Sequence, residues 1–92
     1  MKEKQFLLGK KTLSWIWDDT ISSSAELPCN NLILYDEQGR EEWNMKEAVG
    51  FDEVCTGVQR IDDHRFYFVI FIGIGFMMDA DTHVILQKSI TK

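Results

Sequence analysis

Residues 66–78 read FYFVIFIGIGFMM, a run without a single charge. A helix that crosses a bilayer needs about twenty apolar residues, and this run is shorter. It is also rich in aromatic and β-branched side chains, with Gly73 and Gly75 inside it. Those preferences suit strands, and glycine marks a break between them. The run therefore predicts two adjoining strands, Phe66–Ile72 and Ile74–Met78, with a turn near Gly73. Both alternating sets of the first strand are hydrophobic, so it is expected to be a central strand covered on both faces.

Working outward, the same grammar repeats. Thr12 to Trp17 (TLSWIW) alternates Leu13, Trp15 and Trp17 with Thr12, Ser14 and Ile16, the period of two that a half-buried strand shows. Residues 18–30 (DDTISSSAELPCN) are polar, serine-rich and hold the only proline, which predicts a surface loop. Asn31–Tyr35 is the next strand. Asp36-Glu37-Gln38-Gly39 has aspartate first and glycine last, as a type I turn prefers, and Arg40–Met45 returns. Residues 46–53 form a connector with room for one helical turn. Val54–Ile61 is a strand, Asp62 to Arg65 a turn, Asp79 to Thr82 another turn, and His83–Ile90 the closing strand. With Gln5–Leu8 at the start, the chain is an all-β protein, an antiparallel meander of about eight short strands in a single domain over residues 1–92.

A shift of 43 residues lays NLILYDEQGREEWNM over IGFMMDADTHVILQK. Ile33, Leu34 and Tyr35 fall on Phe76, Met77 and Met78, Asp36 on Asp79, and Trp43 on Leu86. Four strands per unit and a period near forty are the marks of propeller blades, so the expected architecture includes two propeller-like blades, a half-propeller. Such a fragment has edges that must be covered, paired in a dimer or offered to a partner.

Charge narrows the function. The net charge is −5, and residues 27–65 carry all of the excess, with nine acidic side chains against four basic ones. That distribution repels nucleic acid and favours basic partners. Cys29 and Cys55 lack a Cys-x-x-Cys spacing, and the start of the chain, MKEKQFLLGKK, lacks the apolar core of a signal peptide. Both cysteines are read as reduced thiols in a cytoplasmic protein. Two histidines and two cysteines without ligand spacing give no metal site, and no cofactor motif is present. Asp79-x-Asp81-Thr82 lacks the glycine and glutamate of a calcium loop. Gly73-Ile74-Gly75 lacks the lysine of a phosphate loop. Nothing in the chain spells an enzyme. A small hydrolase using Cys55 or a histidine is kept only as a third alternative.

The hairpin NLILYDEQGREEW and the closing run FYFVIFIGIGFMMDADTHVILQKSITK resemble the blade hairpins of small bacterial immunity proteins, those of contact-dependent growth inhibition and related polymorphic toxin systems. The shared pattern is a strand, an Asp-x-x-Gly turn, a strand ending in tryptophan, and later an Asp-x-x-Thr turn before a lysine-ended strand. Thr82-His83 stands where a propeller-like turn carries Thr-Gly. The resemblance implies a cytoplasmic inhibitor that covers the active site of one cognate toxin domain. Nuclease toxins are basic because they hold phosphates, and complementary acidity speeds association with such a target. The expected toxin-binding residues are Asp18, Asp19, Asp36, Glu37, Glu41, Glu42, Asp62 and Asp63, with Trp17 and Trp43 either as aromatic anchors or as core. The alternative is a non-catalytic homo-oligomeric β module, a homodimer for instance.

Overall fold

A computed structural model describes residues 2–17 and 29–90. It contains eight strands and one short helix: β1 (Lys2–Leu8), β2 (Lys11–Trp17), β3 (Leu32–Tyr35), β4 (Glu41–Asn44), α1 (Met45–Val49), β5 (Cys55–Arg60), β6 (Arg65–Ile70), β7 (Ile74–Asp79) and β8 (Ile85–Ile90). They form two antiparallel four-stranded meanders, β1-β2-β3-β4 and β5-β6-β7-β8. The uncharged run at 66–78 is divided between β6 and β7 by a turn at 71–73. There the Gly73 N–H donates to the Ile70 carbonyl (2.9 Å) and Gly73 takes a φ of 87°, which only glycine adopts freely. Among the described residues no helix is long and apolar enough to cross a membrane.

Alternation decides which side of each sheet is buried. In the first sheet Leu13, Trp15, Leu32, Leu34 and Trp43 point inward; in the second Phe66, Phe68, Ile70, Phe76 and Met78 do. They meet in one core. Trp43 lies edge-on to Phe66 and Phe68, with ring centroids 5.5 and 5.8 Å away, and Phe68 stacks on Phe76 at 5.1 Å, geometries that suit the aromatic quadrupole. β6 is interior to its sheet, but its second face is only half-buried, at Tyr67 and Val69. This corrects the expectation of cover on both faces. Among the described residues no second layer of secondary structure lies there; the Tyr67 ring folds over Gly75 instead and its hydroxyl reaches Ser89 Oγ (3.3 Å).

The 43-residue offset is visible in the ladders. A one-residue bulge falls between Leu34 and Tyr35 in the first sheet and between Met77 and Met78 in the second. Leu34 pairs with Trp43, whereas Met77 pairs with Gln87. Trp43 thus corresponds to Gln87 rather than Leu86, because the second turn is one residue longer. Leu34 faces the core while its counterpart Met77 faces outward, so the two units stack head to tail, with opposite faces in contact.

Two polar joints close the sheets on each other. At one end the buried Asn31 donates from Nδ2 to the carbonyls of Ile16 (2.8 Å) and Cys55 (3.1 Å), and its Oδ1 accepts the Cys55 N–H (2.7 Å). Trp15 Nε1 donates to the same Cys55 carbonyl (3.1 Å). α1 links the sheets in sequence. Asn44 caps it in a capping box with Glu47, and Gly50 ends it at a φ of 88°, the expected chemistry of both helix ends.

Edges are blunted in different ways. β1 carries Lys2, Glu3 and Lys4. β4 has four residues and a bulge at Glu42, β5 has a bulge at Thr56, and β8 has one at Leu86. Charges and bulges discourage edge-to-edge pairing.

Asn31→Ala leaves the Cys55 N–H buried without its partner and should cost about 1–3 kcal/mol. A urea midpoint equal to that of the wild type would remove Asn31 from this role. Gly75→Ala forces the Tyr67 ring aside and should cost about 1–3 kcal/mol by overpacking. In a Tyr67→Ser background the same change should cost clearly less, a non-additivity read from the same unfolding curves.

Candidate functional site: the turn end

Strand direction brings four hairpin turns to one end of the molecule, whereas the β6–β7 turn at 71–73 lies at the other. The β1–β2, β3–β4, β5–β6 and β7–β8 turns surround a cleft of about 340 Å³, lined among others by Leu8, Lys10, Lys11, Asp36, Glu37, Glu42, Asp63, His64 and Asp81.

Each turn is locked by its own polar groups. Asp36 Oδ1 accepts the N–H groups of Gln38 and Arg40, both at 2.9 Å, and Gly39 completes the turn at a φ of 80°. Asp79 Oδ1 accepts those of Asp81 (2.8 Å) and Thr82 (2.9 Å), and these bonds hold its carboxyl below the usual range. Here His83 takes the left-handed position, at a φ of 61°, where the blade pattern has glycine. Asp62 accepts from the Arg65 guanidinium (2.6 and 2.8 Å) and from the His64 N–H (2.8 Å). First the Arg65 bond and then the backbone bond push its carboxyl down to about 2.

The floor of the cleft is a charged network between the sheets. Lys11 Nζ donates to Glu42 Oε2 (2.6 Å) and to the Ala80 carbonyl (2.9 Å), and lies 3.5 Å from Asp81 Oδ1. An ionised carboxylate only accepts, so His83 Nε2 donates to Glu42 Oε2 at 2.7 Å. Asp81 Oδ2 in turn meets His64 Nδ1 at 2.9 Å. Burial alone would raise the Glu42 carboxyl, but the hydrogen bonds from Lys11 and His83 outweigh it and hold the group below its ordinary range. Burial likewise works against the Lys11 ammonium, and Glu42 and Asp81 overcome it and raise Lys11. Glu42 is the bulged residue of β4, and a bulge re-aims a side chain. That single irregularity turns Glu42 toward the other sheet.

Of the residues expected from the sequence, Asp36, Glu37, Glu42 and Asp63 line this cleft. Asp62 and Glu41 belong to the same turns. Asp36 and Asp62 are engaged in turn bonds, Glu42 is engaged by Lys11 and His83, and Asp63 pairs with Arg60. Glu37 is exposed, 4.0 Å from Lys10. Trp43 is 1% exposed, so it is core and not an anchor for a partner. Trp17 lies at the opposite end of β2, half-buried against Trp15 with ring centroids 5.3 Å apart. Asp18 and Asp19 lie outside the described residues. Lys11, Asp81 and His83 were missed as a group because sequence separation hides contacts between sheets. The one local signal for them was a histidine in a glycine position.

Cys55 is fully buried, and burial pushes its thiol up to about 12, whereas a nucleophile needs the thiolate. Among the described residues no group of three His, Cys, Asp or Glu side chains is arranged to hold a metal ion. No family model matches this chain, and neither the curated proteins nor the solved structures contain a match.

Because Glu42 is held below its ordinary value of 4.5, its contribution to stability is present above that pH and is lost as pH falls through the folded value. Lys11, raised above 10.5, contributes below that pH and loses its contribution as pH rises past its folded value. Glu42→Gln should therefore be destabilising near neutrality, with a gap to wild type that narrows below pH 4.5. A gap that stays constant in urea midpoints measured down the acid limb would contradict the ionised network.

Proposed function

We propose that this chain is a cytoplasmic immunity protein of a bacterial contact-dependent or related toxin system. In this reading it binds a cognate toxin domain, a basic nuclease, and covers its active site with the acidic turn end. The observation that carries the reading is the convergence of the turns. Carboxylates from sequence-distant hairpins, Glu37, Asp63 and Asp81 among them, surround one concave surface. The β hairpins themselves keep the pattern on which the resemblance rests.

The structure sorts the carboxylates by availability. Asp36, Asp62 and Asp79 hold turns together, so they shape the surface. Glu37, Glu41, Asp63 and Asp81 are exposed and can exchange weak internal partners for lysine or arginine of a toxin. Exposed pairs are worth about 0–1 kcal/mol, so Arg60 or Lys10 is a modest loss. Pairs desolvated in a complex couple by roughly 1.5–7 kcal/mol, which favours the exchange. The same lysines and arginines would otherwise hold nucleic-acid phosphates, so blocking them also blocks substrate.

Glu37→Lys combined with Asp63→Lys reverses two exposed charges from different sheets without touching a turn-locking aspartate. Against the toxin domain encoded beside this protein, association should slow and lose much of its salt dependence, while the melting temperature stays within a few degrees. Rates equal to wild type at both low and high salt would reject the acidic mechanism. Absence of binding by the wild-type chain would reject the immunity reading itself.

A further inference from the structure

The inward face of the second sheet outruns its cover by one strand. Pairing across β7 and β8 sets Ile74 opposite Ile90, Phe76 opposite Lys88 and Met78 opposite Ile85, so all six side chains share the inward face. Phe76 and Met78 are 4% and 1% exposed, yet Ile85 is 38% and Ile90 81% exposed. The first sheet overhangs too, at β1, but there the inward-facing positions near the start are Lys2 and Lys4, which belong in water. The second overhang presents isoleucines.

Lys88 sits in the middle of this ledge. Its ammonium lies 5.9 Å from the centre of the Phe76 ring, within cation–π range, and no carboxylate among the described residues is within ion-pair distance of it. A lone unpaired cation between exposed isoleucines, on a chain of net charge −5, has a complementary shape in mind: a carboxylate with aliphatic neighbours. We propose that the ledge formed by Ile74, Ile85, Lys88 and Ile90 is a second docking surface, for a protein segment carrying an acidic side chain flanked by aliphatic ones. A second copy of the chain is a poor occupant, because two-fold stacking of the ledge would bring Lys88 toward the Lys88 of the other molecule. An anionic membrane is disfavoured by the net charge of −5. The ledge runs along β8 from just after the β7–β8 turn and has a charge preference opposite to that of the turn end, so it is separate from toxin binding.

The test uses the full chain and a blocked synthetic peptide in which one glutamate lies between two isoleucines, with a second peptide bearing lysine in its place. Amide chemical shifts should move at Ile74, Ile85, Lys88 and Ile90, and the glutamate peptide should bind about tenfold or more tightly than the lysine peptide. Lys88 is exposed, so Lys88→Glu should keep the fold and invert the preference, and Lys88→Gln should abolish it. Equal binding of the two peptides, shifts confined to other surfaces, or no binding of either overturns the proposal. So does stronger binding to vesicles of phosphatidylglycerol and phosphatidylcholine than to the glutamate peptide.

Discussion

The carboxamide of Asn31 is the joint on which the two sheets hang. It binds backbone groups of both, and a buried amide that saturates several partners at once leaves little freedom in how the sheets approach. An apolar side chain there would strand the Cys55 N–H. The core alone does not supply such definition, since hydrophobic contact is non-directional. Asn31 and the indole of Trp15 fix β5 against β2 at one end, the Lys11–Glu42–His83 network fixes the other, and Trp43 packs between them. With both ends fixed, the β1–β2, β3–β4, β5–β6 and β7–β8 turns surround a common cleft.

Head-to-tail stacking also leaves each sheet with one outer face. A repeat that buries alternate faces needs polar terminal faces to remain soluble. The outer face of the first sheet mixes Glu3, Gln5, Thr12, Ser14 and Asn44 with Leu7, Ile16, Ile33 and Tyr35. Ser14 is buried there by Glu3, to which its hydroxyl donates. The outer face of the second sheet is less polar, and Tyr67 compensates by lying across Gly75 and reaching Ser89.

Much of the fold was legible because its signals are local. Alternation in 12–17 and 66–72, aspartate-led turns and the glycine at 73 each depend on a few neighbouring residues, and the strands follow them closely. What depended on three-dimensional neighbours was not legible. Trp15, Trp17 and Trp43 share a residue type and a strand context, yet Trp43 is enclosed by Phe66 and Phe68 while Trp17 ends its strand half-exposed. Val69 looked as buried as Phe68 because both are apolar, and what separates them is that Phe68 faces the first sheet while Val69 lies on the half-buried face. Glu42 read as one acidic residue among several, since nothing local announces that a bulge will turn it toward Lys11.

Turns that close on their own bonds have a consequence for how such a surface changes over generations. Asp36, Asp62 and Asp79 each accept backbone N–H groups from within their own turn, so exposed tip positions such as Glu37, Asp63 and Thr82 carry no duty toward the core, unlike the buried Ala80. The β7–β8 connection is already one residue longer than its counterpart, and the ladder beyond it absorbs the difference in a bulge. Insertions and exchanges at these tips leave the strands in register. An end built this way can change in shape and charge at its exposed tips, while the body of the protein stays as it was.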